Sequence, residues 1–429
     1  MFFGPADLNR WFIRYRLCVF PLHSIRWPVL DRIRNRARDA FETIVALRRQ
    51  IHRNPELALE ETQTAALVAE TLRPLGLYVQ TGIYETGVVA SLDGLKPGPT
   101  LLLRADMDAL PISEATGLPF ASETAGVMHA CGHDAHTASL LGTAIVLSEL
   151  KEHIHGRIRF CFQPSEERIP GGAKFMIEQG VLEGRGMGSA VDTVFGQHVA
   201  PDLPTGAIGV RSGAYMASAD ELHITIHGAG GHAAAPHTLS ADATYVAAQV
   251  VTALQSIASR HSPPGTPTIL SVGKLMAEGA TNVIPEHARL EGTFRTMDED
   301  WRFRAHDLIR RVVTHTAEAH GATADVEVRV GYPSLHNDPE TSALVKQAAE
   351  DYVGAGQTVD LDRWYAGEDF AYFLQERPGT FYRLGTGNEE AQSTHGLHTP
   401  QFTVDEEALR VGAGFMAYLA WRYGNEHSS

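Results

Sequence analysis

Apolar residues recur with helical spacing between Arg38 and Leu75, first in "FETIVALRRQIHRNPE" and then in "ETQTAALVAETLRPLG". Each segment keeps one apolar face, as an amphipathic helix does. Pro55 breaks the two apart, and Gly76 supplies a C-terminal stop. Beyond it the apolar positions fall in short runs. "GVVASLDG" (Gly87 to Gly94) and "TLLLRADMDAL" (Thr100 to Leu110) read as strands. Helical spacing returns from His133 to Leu150. "RIRFCFQPSEE" (Arg157 to Glu167) reads as a strand ending at a turn, Gly171 to Leu182 as a helix, and Val191 to Val199 as a further strand. Strands alternating with helices predict an α/β fold around a mostly parallel sheet.

The pattern changes after Ser212. "ADELHITIHG" alternates strictly between apolar and polar, as a half-solvated strand does. A helix, two strands, a second helix ("EDWRFRAHDLIRRVVTHTAEAHG") and a strand ("ADVEVRVG") follow. This β-α-β-β-α-β order is the ferredoxin-like motif. α/β character then resumes through "SALVKQAAEDYV", "TFYRLGTG" and a last helix in "DEEALRVGAGFMAYLAWRYG". The expected organisation is an extension over residues 1–32, a catalytic domain built from 33–211 and 332–429, and a small domain inserted at 212–331.

Composition narrows the function. The chain has 429 residues, 44% hydrophobic and 20% charged, with a formal net charge of −15. That length favours two domains. The acidic balance argues against a nucleic-acid partner, which needs a basic patch, and against an anionic membrane. No run of 18 or more apolar residues marks a membrane span. The three cysteines, Cys18, Cys131 and Cys161, do not make a disulfide framework, so a reducing, cytoplasmic location is expected. The N-terminal stretch mixes arginines with aromatics and lacks a small-residue cleavage site, unlike a secretory signal.

Donor side chains fall where strands end. Asp106 and Asp108 close "LLLRADMD", Glu166 and Glu167 close "FCFQPSEE", and His198 closes "VFGQHV". Cys131 and His133 lie in "MHACGHDAHT", which leads into a helix. In open α/β sheets ligands collect beyond the carboxyl ends of the strands. Each group has an ordinary reading as well: a buried cysteine beside solvent-facing histidines, or solvated glutamates in a loop. Their common placement favours a metal site. The helix N-terminus is expected to lower the Cys131 thiol pKa, and thiolate with imidazole leans towards zinc. Adjacent glutamates point in different directions, so one can bind metal while the other takes a proton from water. In "STHGLHTPQF", His395 and His398 offer a distant histidine, or simply a polar loop. Within "MHACGHDAHT", Asp134 and His136 are assigned to supporting or helix-start roles, and His129 to none.

These segments resemble a known family. "RADMDALP", "MHACGHDAHT", "QPSEE", "GQHVAP", "GGHAAAPH", "TNVIPE" and "LHTPQF" look like the M20 metallopeptidases, and more narrowly their amidohydrolase branch. "GEDF" (Gly367 to Phe370) also fits that branch. The resemblance runs in order from Arg38 to Tyr423. It implies a catalytic domain holding two divalent ions per subunit, among zinc, manganese, cobalt and nickel. It also implies a small domain that serves as lid and makes a homodimer or higher homo-oligomer. Cys131, His133, Glu167, His198 and His398 match the metal ligands, and Glu166 the general base. Asp106 and Asp108 stand where the wider family has a His-x-Asp ligand motif, and are assigned to holding the ligands from behind. His232 matches a histidine that reaches the partner's site to stabilise the oxyanion, while Asn282 and Arg295 match residues near the substrate carboxylate. The implied activity is hydrolysis of N-acyl amino acids to a carboxylic acid and a free amino acid. The alternatives are a metallo-carboxypeptidase or dipeptidase acting on short peptides and, from another class, a non-catalytic metal-binding scaffold.

Overall fold

A computed structural model describes residues 28–184 and 186–428. Residues 1–27, most of the expected extension, lie outside the described residues. Helix α1 (Pro28–Asp39) already packs Leu30 and Ile33 into the core. The helices α2 (Phe41–Arg53) and α3 (Thr62–Leu72) follow, separated at Pro55 as the pattern predicts. Gly76 ends this region with a left-handed φ of 75°, a conformation that favours glycine.

The larger body continues through β1 (Tyr78–Ile83), β2 (Gly87–Asp93), β3 (Lys96–Asp106), α4 (His133–Ser148), β4 (His155–Gln163), α5 (Gly172–Glu178), β5 (Thr193–Pro204) and β6 (Ile208–Val210). After β7 (Gly213–Met216) come β8 (Ala219–His227), β9 (Gly231–His232), α6 (Ala243–Ser256), β10 (Thr268–Met276), β11 (Val283–Ile284), β12 (His287–Thr296), α7 (Glu299–Ala319) and β13 (Thr323–Tyr332). The chain returns through β14 (Leu335–Asn337), α8 (Pro339–Val353), β15 (Thr358–Asp360), α9 (Ala371–Glu376), β16 (Gly379–Gly387) and α10 (Glu407–Glu426). Three of these helices start on an aspartate whose carboxylate accepts backbone N–H groups: Asp242 for α6, Asp298 for α7 and Asp338 for α8.

The large sheet has the order β1-β2-β4-β3-β5-β16-β6-β15. Its central strands β4, β3, β5 and β16 run parallel, as expected, while β1, β2 and β6 add antiparallel pairings towards the edges. Helix α4 is buried almost all round, packed against β3, α2 and α10. The small sheet, β10-β12-β8-β13, is wholly antiparallel. Leu222, Ile224 and Ile226 on β8 alternate inward and meet Val246, Val250 and Ile309 of its two helices. The α/β fold with an added antiparallel sheet domain is therefore as the sequence indicates. The short strands β6, β7, β14 and β15 carry too few residues for a period to show.

Parallel pairing brings the functional loops to one edge. Asp106 sits in register with Gln163, and His198 with Arg383. β4 stops at Gln163, four residues short of the pattern-based end. Pro164 has no N–H to donate, and Ser165 turns the chain with a φ of 58°. Glu166 and Glu167 thus project from a turn rather than from a strand.

Candidate metal centre and catalytic site

The Cys131 thiol sits between two histidines. Its Sγ is 3.4 Å from His198 Nε2 and 3.3 Å from His398 Nε2. His398 Nε2 is also 3.2 Å from Glu167 Oε1. His133 Nε2 lies 4.0 Å from that same oxygen. The five predicted ligands therefore converge in space. Gly132 makes this local path feasible, with a φ of 87° and a Cβ position that would meet Val199 Cγ2 at 2.4 Å. His398 has a φ of 60°, a strained conformation for a non-glycine residue. Its N–H donates to Ala130 O at 2.8 Å, which ties its loop to the Cys131 loop.

Hydrogen bonds fix which ring nitrogens face the cluster. His198 Nδ1 donates to Val199 O at 2.8 Å, which leaves Nε2 with its lone pair towards Cys131. His133 Nδ1 donates to Asp108 Oδ1 at 3.2 Å. His133 Nε2 and Glu167 Oε1 are then left buried without a hydrogen-bond partner. His136 is used up, because Nδ1 bonds Asp106 Oδ1 at 2.6 Å and Nε2 accepts Val199 N–H at 2.9 Å. It stands near Asp106 and His133 but has no lone pair to offer a metal.

The charges are unbalanced. Burial pushes Glu166 well above the usual carboxylate range, reinforced by Glu368 and Glu167. Burial opposes the charged form of His133, but Asp106 and Asp108 outweigh it and hold the pKa at about 10. Burial, then His136 and Arg383, keep His198 neutral. Cys131 corrects an expectation. Its thiol is pushed well above its ordinary value, first by burial and then by Glu167 and Glu166. The helix N-terminus does not lower it, because that weak dipole is outweighed by desolvation and neighbouring carboxylates. Orphaned donors, a neutral imidazole and uncompensated acids together fit a divalent cation, which would supply the missing positive charge.

Arg104 anchors the floor. It is buried after the apolar run Leu101, Leu102 and Leu103 of β3 and bonds Asp106 at 2.5 Å, Asp369 at 2.7 Å and Gln163 at 2.8 Å, with Glu368 at 3.0 Å. Burial raises Glu368 to about 8 and Asp369 to about 6, with Arg104 opposing both shifts. Sequence reasoning passed over Arg104, although a lone arginine in "TLLLRAD" was a visible signal. It also passed over Glu61, whose Oε1 accepts Ser165 N–H at 2.8 Å. Its "EET" looked like an ordinary helix start.

The remaining candidates lie apart from this cluster. His232 is exposed on β9, and its Nδ1 accepts Ala234 N–H at 3.1 Å. Asn282 is beside it, with its carbonyl accepting Ala233 N–H at 3.0 Å. Among the described residues neither is hydrogen-bonded to a predicted ligand. Arg295 on β12 crosses to the catalytic body, where Nη1 donates to Tyr365 O at 3.0 Å.

Residues 102–422 match Peptidase family M20/M25/M40. The chain belongs to the M20 peptidase family and is a hydrolase. It is 41% identical over 401 residues to thermostable carboxypeptidase 1 of Saccharolobus solfataricus, covering 93% of this chain and 100% of that one. It is 45% identical over 297 residues to an N-acyl-L-amino acid amidohydrolase of Geobacillus stearothermophilus, covering 69% of this chain and 78% of that one. A solved Bacillus subtilis protein described as a dinuclear metal binding peptidase from the M20 family superposes with a TM-score of 0.76 at 37% identity, covering 90% of this chain and 99% of that one. Relatives named for N-acyl amino acid deacylation support amide hydrolysis as the reaction class. No helix among the described residues is long and apolar enough to cross a membrane.

Proposed function

We propose that this chain hydrolyses the amide bond of N-acyl amino acids, with Glu166 as general base. The observation that carries the reading is that two buried atoms facing the cluster, His133 Nε2 and Glu167 Oε1, have no hydrogen-bond partner, with Glu166 close by. One donor atom from each of His133, Glu166 and Glu167 lies within 4.8 Å of the others. Cys131, His133, Glu167, His198 and His398 would hold two divalent ions. The donor set of thiol, imidazole and carboxylate admits zinc, manganese, cobalt or nickel. When bound, such ions polarise a carbonyl and lower the pKa of water.

This chain's residues do the rest. Glu166 takes the proton of the attacking water and later returns it to the leaving nitrogen. Asp106 and Asp108 fix the tautomers of His136 and His133 from behind. Arg295 and Asn282, on the small domain, meet the substrate carboxylate, where a guanidinium fork suits. His232 is exposed on the same domain, so it serves the oxyanion of a partner subunit in a homodimer. The small domain at 212–331 is then lid and interface, and residues 33–211 and 332–429 carry the chemistry. A cytoplasmic location accords with the buried free thiols of Cys131 and Cys161.

A second reading, carboxypeptidase action on short peptides, is favoured by the Saccharolobus relative's name. A panel of N-acetyl and N-benzoyl amino acids against dipeptides separates the two. Faster hydrolysis of the dipeptides would overturn the first. Glu166→Gln should keep metal while turnover falls by about 10²–10⁴-fold, and near wild-type turnover would remove Glu166 from the base role.

A further inference from the structure

The backbone around Glu166 is gripped by side chains on every side. Glu61 accepts Ser165 N–H, and the two oxygens of Asp108 accept Glu166 N–H and Glu167 N–H at 3.0 and 2.9 Å. The Glu166 carbonyl accepts the Tyr332 hydroxyl. Glu61 and Asp108 belong to the catalytic body. Tyr332 does not. It is the last residue of β13, where the chain leaves the small domain, and it pairs with Ala219 at the start of β8, where the chain enters.

Tyr332 is itself held firmly. It is 7% exposed. The preceding residue, Gly331, donates its N–H to Asp220 at 3.0 Å and accepts Arg302 Nη2 at 3.0 Å and the Tyr372 hydroxyl at 3.2 Å. Gly367 leaves room for the ring, since a Cβ there would lie 3.1 Å from Tyr332 Cδ2 and 2.8 Å from Ala219 Cβ. The ring is therefore held at the junction from both sides, by Ala219, Asp220 and Arg302 of the small domain and by Gly367 and Tyr372 of the larger body, and its hydroxyl partner is the peptide that carries the base.

We propose that Tyr332 is a positioning residue, which sets the aim of Glu166 and makes it depend on where the small domain sits. The proposal rests on the reading of Glu166 as base. The physical argument is lever-like. The peptide between Glu166 and Glu167 is held at its N–H by Asp108 and at its carbonyl by the Tyr332 hydroxyl, so loss of the hydroxyl frees one of its two anchors. Turning that plane swings the Glu166 carboxylate relative to Glu167 on the next residue. A base misaimed by a fraction of an ångström loses reach to its proton without changing what the site binds.

Tyr332→Phe removes the hydroxyl and keeps the ring. We expect kcat to fall about ten-fold, with KM, metal content and melting temperature close to wild type. Gly367→Ala, which crowds the same ring, should lower kcat as well. In a Glu166→Gln background Tyr332→Phe should cost nothing further, because the hydroxyl then has no base to aim. An equal fractional loss in both backgrounds, or a loss that tracks metal or folded protein, would assign Tyr332 a merely structural role and overturn the proposal. So would an unchanged kcat in Tyr332→Phe. Wild-type turnover in Glu166→Gln itself would instead overturn the base assignment, and this proposal with it.

Discussion

Asp220 and Glu166 are both buried carboxylates near the junction of the two domains, and their surroundings differ in kind. Asp220 is saturated. Its oxygens take Arg302 Nε and Nη2, His306 Nε2 at 2.7 Å and Gly331 N–H at 3.0 Å. Glu166 is starved: among the described residues its carboxylate accepts no hydrogen bond, and Glu368, Glu167, Asp369 and Asp108 crowd it with like charge. Burial alone would raise both pKa values. At Asp220 the bonds from Arg302 and His306 outweigh burial and the pKa falls. At Glu166 the neighbouring charges add to burial and it rises. A saturated carboxylate holds the fold together. A starved one awaits a proton or a cation, and that is the mark of a reacting site.

The contrast can be broken at either end. The largest effect is expected at the open cluster: Cys131→Ala should roughly halve the metal per chain in elemental analysis, since the thiol lies between His198 and His398. Full occupancy would mean that the thiolate is not a ligand. The closed cluster should respond in stability instead. Asp220→Asn strands Arg302 and should cost about 3–5 kcal/mol in denaturant unfolding, with metal content intact. Equal loss of metal would erase the distinction between the clusters. The smallest effect is a pH dependence. Asp220 has a lowered folded pKa, so its contribution is full above the unfolded value of about 4 and is lost as pH falls through the folded one. Wild type and Asp220→Asn should therefore converge in stability in acid. A gap that stays constant down to low pH would mean that Asp220 is not acting as a charged group.

Much of the open cluster was legible because its donors are of unusual type and close strands or enter helices. Cys131, His133, His198 and the pair Glu166 and Glu167 stand out in this way, whereas His398 and the choice of Glu167 as ligand come only from the family resemblance; the five do converge. The closed cluster was not legible. Asp220 and Arg302 look like surface charges in alternating or amphipathic segments, and only the sheet pairing of β8 with β13 brings Gly331 to them. Arg104 and Glu61 were missed for a related reason. Each has a partner far away in sequence, Asp369 for one and Ser165 for the other, and periodicity carries no information about such contacts. The fold class followed from alternation of strands and helices, whereas the edge strands were too short to leave a period. The thiol of Cys131 shows the opposite failure. A local rule about helix ends was applied where the wider field decides.

His398 meets Cys131 across 267 positions of chain. A ribosome making this protein emits Cys131, His133, Glu167 and His198 first, then the whole antiparallel domain, and His398 only after it. Chains are released from the N-terminus first, so the proposed ligand set is incomplete until the antiparallel domain has been made. The last donor arrives on a loop that is tied by its own backbone to Ala130, and it arrives only when α10 is about to emerge and cover α4. The proposed cluster can therefore close only after the small domain has been made.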